Sequence, residues 1–108
     1  MTESFKGGKI INHETIHTIA DGIAVRLPIP QSIDDMQGLV DDMILVEEST
    51  IKDAMRLIHQ NAGLICEPSG AVGLAALLEN TGDFKNKKIA TILCGSNLTS
   101  TQIKDWLI

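Results

Sequence analysis

The chain has 108 residues, is 44% hydrophobic and 21% charged, and carries a net charge of −5, the makeup of one globular domain with one core. Lys85, Lys87 and Lys88 are its only basic cluster, and its aromatics are Phe5, Phe84 and Trp106, which excludes the basic, aromatic-studded face that nucleic acid requires. No apolar run is long enough to span a bilayer and the N-terminus is no signal peptide, so a soluble cytoplasmic protein is expected, with Cys66 and Cys94 as reduced thiols.

Residues 1–38 read as an irregular arm or loop region, interrupted by Pro28, Pro30 and Gly38, with a short helical turn within Ile29 to Met36. This region holds His13-Glu14-Thr15-Ile16-His17, the letters of the zinc-protease motif H-E-x-x-H. Zinc hydrolysis needs both histidines on one helical face, a third ligand, and the glutamate aimed at the metal-bound water. Ile10, Ile11, Thr15, Ile16, Thr18 and Ile19 are β-branched and disfavour a helix, and His59 is the only other histidine. A polar loop without metal is the expectation.

Residues 39–108 change character. Met43-Ile44-Leu45-Val46 reads as a buried strand. Ile51, Ala54, Met55 and Ile58 then fall at i, i+3, i+4 and i+7, which predicts an amphipathic helix opened by Thr50 with Asp53 and stopped at Gly63. Leu64-Ile65-Cys66 reads as a second strand. Ser69 is expected to cap an apolar helix through Leu78 that stops near Gly82. Lys88 to Cys94 reads as a third strand, and Thr99 with Gln102 as a capping box that opens a last helix. Alternating strands and helices predict an α/β fold: part of a three-layer sandwich, with a short, mainly parallel sheet flanked by helices. Ligands of such sheets collect at the carboxyl ends of strands, here Glu67–Ala71 and Cys94–Asn97.

Three linked stretches, "TIADGIAV" (Thr18–Val25), "EPSGAVGLAALL" (Glu67–Leu78) and "ILCGSNLT" (Ile92–Thr99), resemble the C-terminal part of the catalytic domain of threonine/serine dehydratases, which are fold-type-II pyridoxal-phosphate enzymes. "SFKGGKI" and "LVDDMILVEESTI" fit the same register, so the resemblance covers essentially the whole chain. It implies a lyase that removes water from a β-hydroxy amino acid and releases a 2-oxo acid and ammonia. It implies pyridoxal phosphate as cofactor, with Cys94 as partner of the pyridine nitrogen and Glu67, Gly22 and Gly95 in the cofactor pocket.

Taken singly, these residues have plainer readings. Cys94 could be packing at the end of an apolar strand. Glu67 could favour the next helix through its dipole, and Gly22, Gly70 and Gly95 could be turn glycines. The family's Schiff-base lysine lies in a motif S-F-K-x-R-G-A. Ser4-Phe5-Lys6 imitates its start, but Gly7-Gly8 follows, and the glycine-rich phosphate loop has no counterpart. No catalytic residue is therefore assigned, and the chain reads as a fragment or truncated form that is inactive alone. The alternative is a non-catalytic assembly or regulatory domain that completes a site with another chain. Exposed strand edges and apolar surface would make either one a homo-oligomer.

Overall fold

The computed structural model describes all residues, Met1–Ile108. They form two compact units, one comprising Met1–Thr18 with Ile23–Leu45, the other Ile19–Gly22 with Val46–Ile108.

The first unit contains helices α1 (Thr2–Gly7) and α2 (Pro30–Met36), which pack on each other. A six-residue helix with Phe5 as its one large apolar side chain is too short to show a period. Tertiary bonds hold it instead. Ser4, fully buried, accepts the Ile11 N–H at 2.9 Å and donates back to the Ile11 carbonyl. Pro30 at the first position pre-sets the backbone of α2, whose Ile33 is buried. The stretch His13–His17 contains no helix, and the His13 Nε2 lies 3.3 Å from Glu3 Oε2. Lys6 is a surface residue whose ammonium sits 2.9 Å from Asp42 Oδ1. The hydrogen bond from Lys6, followed by one from the Met43 N–H, holds the Asp42 carboxyl below the usual aspartate range.

The second unit is built on α3 (Glu48–Ala62), α4 (Pro68–Glu79) and α5 (Ser100–Trp106). The i, i+3, i+4, i+7 stripe of α3 is its buried face: Ile51, Ala54, Met55 and Ile58 pack against α4, where Ala71 and Ala75 are buried. Small residues on α4 let the two helices approach closely. Gly63 ends α3 in the left-handed conformation (φ 68°), its N–H bonded to the His59 carbonyl at 2.9 Å. The start differs from the sequence expectation. Thr50 lies inside α3 and caps nothing; the Glu47 N–H at the helix entrance instead goes to Glu79 Oε1 at 2.8 Å, across to the end of α4.

Nor does Ser69 cap α4. Pro68 occupies the first helical position, so Glu67 is the capping residue. The helix ends at Asn80, whose side-chain amide satisfies the Ala76 carbonyl at 2.9 Å, before Gly82 is reached. Only α5 begins as its local signal says. Gln102 N–H donates to Thr99 Oγ1, and Thr99 N–H to Gln102 Oε1 at 2.8 Å. The Lys52 ammonium lies 5.9 Å over the Trp106 ring, joining α3 to α5.

The expected α/β sandwich is corrected by the structure, which is helical and contains no strand. Met43–Val46, Leu64–Cys66 and Lys88–Cys94 have strand-like composition but form no ladder. A strand exists only through bonds to a neighbouring backbone, and here one such bond, Glu67 N–H to the Gly95 carbonyl, joins the ends of the last two stretches. Cys66 is buried, but most of their side chains stay in solvent: Leu45 is 75% and Ile92 81% exposed. Apolar composition identified segments able to pair, without supplying the pairing. No helix is long and apolar enough to cross a membrane.

Met55 is the largest fully buried apolar side chain, so its loss leaves a cavity that helices on both sides cannot readily fill. Met55→Ala is expected to lower the unfolding free energy by about 2–5 kcal/mol, measured by urea denaturation. A loss below about 1 kcal/mol would place the stabilising core elsewhere.

Candidate functional site

The site is organised around Glu67. Pro68 starts α4 immediately after it, leaving Glu67 in an extended conformation (φ −72°, ψ 161°) with its side chain free of the helix it precedes. That carboxylate reaches across to the turn at residues 94–97, where Oε2 accepts the Asn97 N–H at 3.2 Å. The Glu67 N–H donates to the Gly95 carbonyl at 3.0 Å. Main chain and side chain of one residue thus grip both sides of the turn.

Gly95 is required twice at this contact. Its φ of 69° lies in the left-handed region, and a Cβ there would overlap the Glu67 carboxyl group. Gly70, in the first turn of α4, makes a similar close approach: a Cβ on it would overlap the Cys94 carbonyl. These absent side chains let the helix N-terminus rest against the turn.

The four residues singled out by resemblance come together here. Gly22 lies at the same end of α4, where a Cβ on it would stand 2.8 Å from Ser69 Oγ and 3.7 Å from Glu67 Oε1. Cys94 is solvent-exposed, which removes the reading of a packed core cysteine. The buried cysteine is Cys66, 3% exposed, whose thiol donates to the Cys94 carbonyl at 3.5 Å. Burial pushes the Cys66 thiol up from its ordinary pKa, and the hydrogen bond to the Cys94 backbone offsets part of that rise.

Ser69 and Asn97 fall within the stretches expected near a site but carry no assigned role there, and Cys66 is not singled out by the sequence. Ser69 Oγ is buried without a hydrogen-bond partner, a costly arrangement for a hydroxyl; its position after Glu-Pro carried a signal that was spent on a capping role. Asn97 acts through its backbone N–H, which sequence does not reveal. Cys66 matters through a contact with a residue 28 positions away. The first unit carries a separate open pocket of about 310 Å³, walled partly by Thr2, Glu3, His13, Thr15 and Val25; none of the four residues lines it.

Residues 1–95 match the family model described as "Pyridoxal-phosphate dependent enzyme". The chain is 37% identical over 103 residues to the L-threonine ammonia-lyase of Thermotoga maritima, covering 95% of this chain and 25% of that protein. It is 34% identical over 105 residues to the catabolic L-threonine dehydratase TdcB of Escherichia coli K12, covering 95% of this chain and 32% of that one. Among solved structures it is similar to a threonine deaminase from T.th., with a TM-score of 0.82 at 29% identity over 91% of this chain and 35% of that one. It is also similar to maize serine racemase, with a TM-score of 0.80 at 33% identity over 96% of this chain and 34% of that one. The chain spans between 25% and 32% of the length of these two curated relatives.

The contact between Glu67 and Gly95 is testable by a double-mutant cycle. Gly95→Ala should cost about 1–2 kcal/mol from its left-handed backbone alone, and more from the overlap with Glu67. Shortening the neighbour in Glu67→Ala removes the overlap, so urea denaturation should show the double variant losing less than the two single losses together. Strict additivity would mean that the two residues do not touch in solution.

Proposed function

This chain belongs to the pyridoxal-phosphate-dependent enzyme family, and on that premise we propose that it supplies the pyridine-nitrogen side of the cofactor site in a threonine/serine dehydratase. That enzyme would convert a β-hydroxy amino acid into a 2-oxo acid and ammonia. The observation that carries the proposal is the gathering of Cys94, Glu67, Gly95 and Gly22 at the N-terminal end of α4, with Cys94 exposed to solvent. The names of the relatives, for threonine in the curated enzymes and for serine in a structural neighbour, support a small hydroxy amino acid as substrate.

The residues present suit the cofactor. Ser69 Oγ is a buried hydroxyl with no protein partner, Cys94 is accessible, and the turn between them is fixed by Glu67. Pyridoxal phosphate, when bound, supplies a ring that draws electrons from the substrate's α-carbon. Cys94 would hold the ring nitrogen through its thiol. A thiol does not stabilise a positively charged ring as a carboxylate would, so withdrawal stays moderate, which suits loss of water from the β-carbon. Glu67 keeps Cys94 in place by bonding the turn at Gly95 and Asn97. Ser69 offers its unused donor and acceptor to a polar group brought in by cofactor or substrate. Lys6 takes no part, being paired with Asp42.

We place the protein in the cytoplasm, on the support of two free cysteines. Side chains as exposed as Ile92, at 81%, support association into a homo-oligomer.

The chain alone, mixed with pyridoxal phosphate and threonine or serine, is expected to release no 2-oxo acid. A chimera in which it replaces the matched segment of the Thermotoga maritima enzyme should retain the cofactor and deaminate one of the two amino acids, followed as 2-oxo acid release. Cys94→Ala in that chimera should reduce turnover and shift the visible absorbance of the bound cofactor. A folded, cofactor-loaded chimera that turns over neither amino acid would sink the dehydratase reading.

A further inference from the structure

The two cysteines meet at one point of the fold in contrasting states. Cys94 is exposed and open to reagents, whereas Cys66 is buried beneath it. The Cys66 sulfur lies 3.5 Å from the Cys94 carbonyl oxygen. It also lies 2.8 Å from the point that a Cβ on Gly70 would occupy, and the Cys94 backbone nitrogen stands 2.8 Å from that same point. Gly70, lacking a side chain, therefore lets the first turn of α4 pack against both residues at once. A disulfide forms where the two Cα atoms come within roughly 4.4–6.8 Å and the side chains can turn toward each other. Here the buried sulfur already touches the backbone of its partner, and that partner is exposed.

We propose that Cys66 and Cys94 are an oxidisable pair, closed to an intramolecular disulfide by exchange with a low-molecular-weight disulfide such as oxidised glutathione. In the first step the Cys94 thiolate, its proton lost to water, attacks one sulfur of the small disulfide. The disulfide bond breaks, one small thiol leaves with a proton, and Cys94 carries the other half as a mixed disulfide. In the second step the Cys66 sulfur, giving up its proton, attacks the Cys94 sulfur and expels the second small thiol. The two protein thiols give up two electrons and two protons, and the small disulfide is reduced to two thiols. Attack by thiolate on disulfide sulfur is the ordinary route of such exchange. Access sets the order, because only Cys94 meets a reagent from solvent and only Cys66 stands close enough to resolve the adduct. On the functional reading above, closure also withdraws the Cys94 thiol from the ring nitrogen and gives the enzyme a reversible inactive form.

The reduced chain is incubated with oxidised glutathione, alkylated, and mapped by mass spectrometry. The expected result is loss of both free thiols, a peptide pair joined through Cys66 and Cys94, and no glutathione retained. Cys66→Ser should stall with glutathione on Cys94, and Cys94→Ser should leave Cys66 unmodified. A wild-type chain that ends as a stable glutathione adduct on Cys94, or as dimers joined through Cys94, overturns the proposal. Mapping of the wild type decides the matter even if a serine variant folds poorly. No cofactor is present in this experiment, so its failure is separate from failure of the ring-nitrogen assignment, which the Cys94→Ala chimera tests.

Discussion

The approach of the α4 N-terminus to the turn at residues 94–97 is the constraint on which the candidate site depends. Glu67 is bound to that turn by its N–H and by its carboxylate, and two positions without side chains, Gly70 and Gly95, make the distance possible. An N–H to carbonyl bond adds only about 1 kcal/mol net, and one to a charged acceptor somewhat more. Steric exclusion is the stronger term: a side chain at either glycine would meet backbone or carboxylate atoms that lie inside contact distance. The site is thus shaped as much by atoms left out as by bonds formed.

Behind this contact stands the packing of α3 on α4. Ala54, Met55, Ala71 and Ala75 are fully buried, and the pairing of small with large side chains gives a close interface with little polar content. Glu79 at the far end of α4 receives the N–H that precedes α3, so a hydrogen bond ties the two helices at one end while apolar contact joins their faces. A helix held in this way is a firm base for the residues at its N-terminus, and firmness is what positioning at a binding site needs. The strand-like stretches are different in kind. Apart from Cys66 and Val46, which join the core, most of their apolar residues face solvent.

The two cysteines show how one residue type takes different chemistry from its surroundings. Cys66, enclosed among Ala71, Ala75 and neighbouring apolar groups, is held as a protonated thiol because charge is costly there. Cys94 stands in water next to a turn that Glu67 keeps in position. Their contact runs from the buried sulfur to the exposed residue's carbonyl. The same segment thus exposes one cysteine to solvent while its backbone receives a hydrogen bond from the core.

What the sequence determined by itself was what local chemistry decides. The apolar stripe of α3 is a matter of spacing, the glycine after it a matter of backbone conformation, and the Thr99–Gln102 box a bond between residues three apart. Linked motifs singled out Cys94, Glu67, Gly22 and Gly95, and the structure brings these four residues together at one end of one helix. Tertiary structure decided everything that needed a distant partner. Composition marked Met43–Val46, Leu64–Cys66 and Lys88–Cys94 as strands, but a ladder is made between segments and no local pattern contains it. The entrance of α3 went to Glu79, 32 residues from Glu47, in place of the local Thr50. Ser69 lost its expected cap to Pro68 and became a buried hydroxyl without a partner. Cys66 took its environment from Cys94 across 28 residues of chain. Spacing and backbone preference act within a turn or two, whereas burial, pairing and close approach depend on which segments the fold brings together.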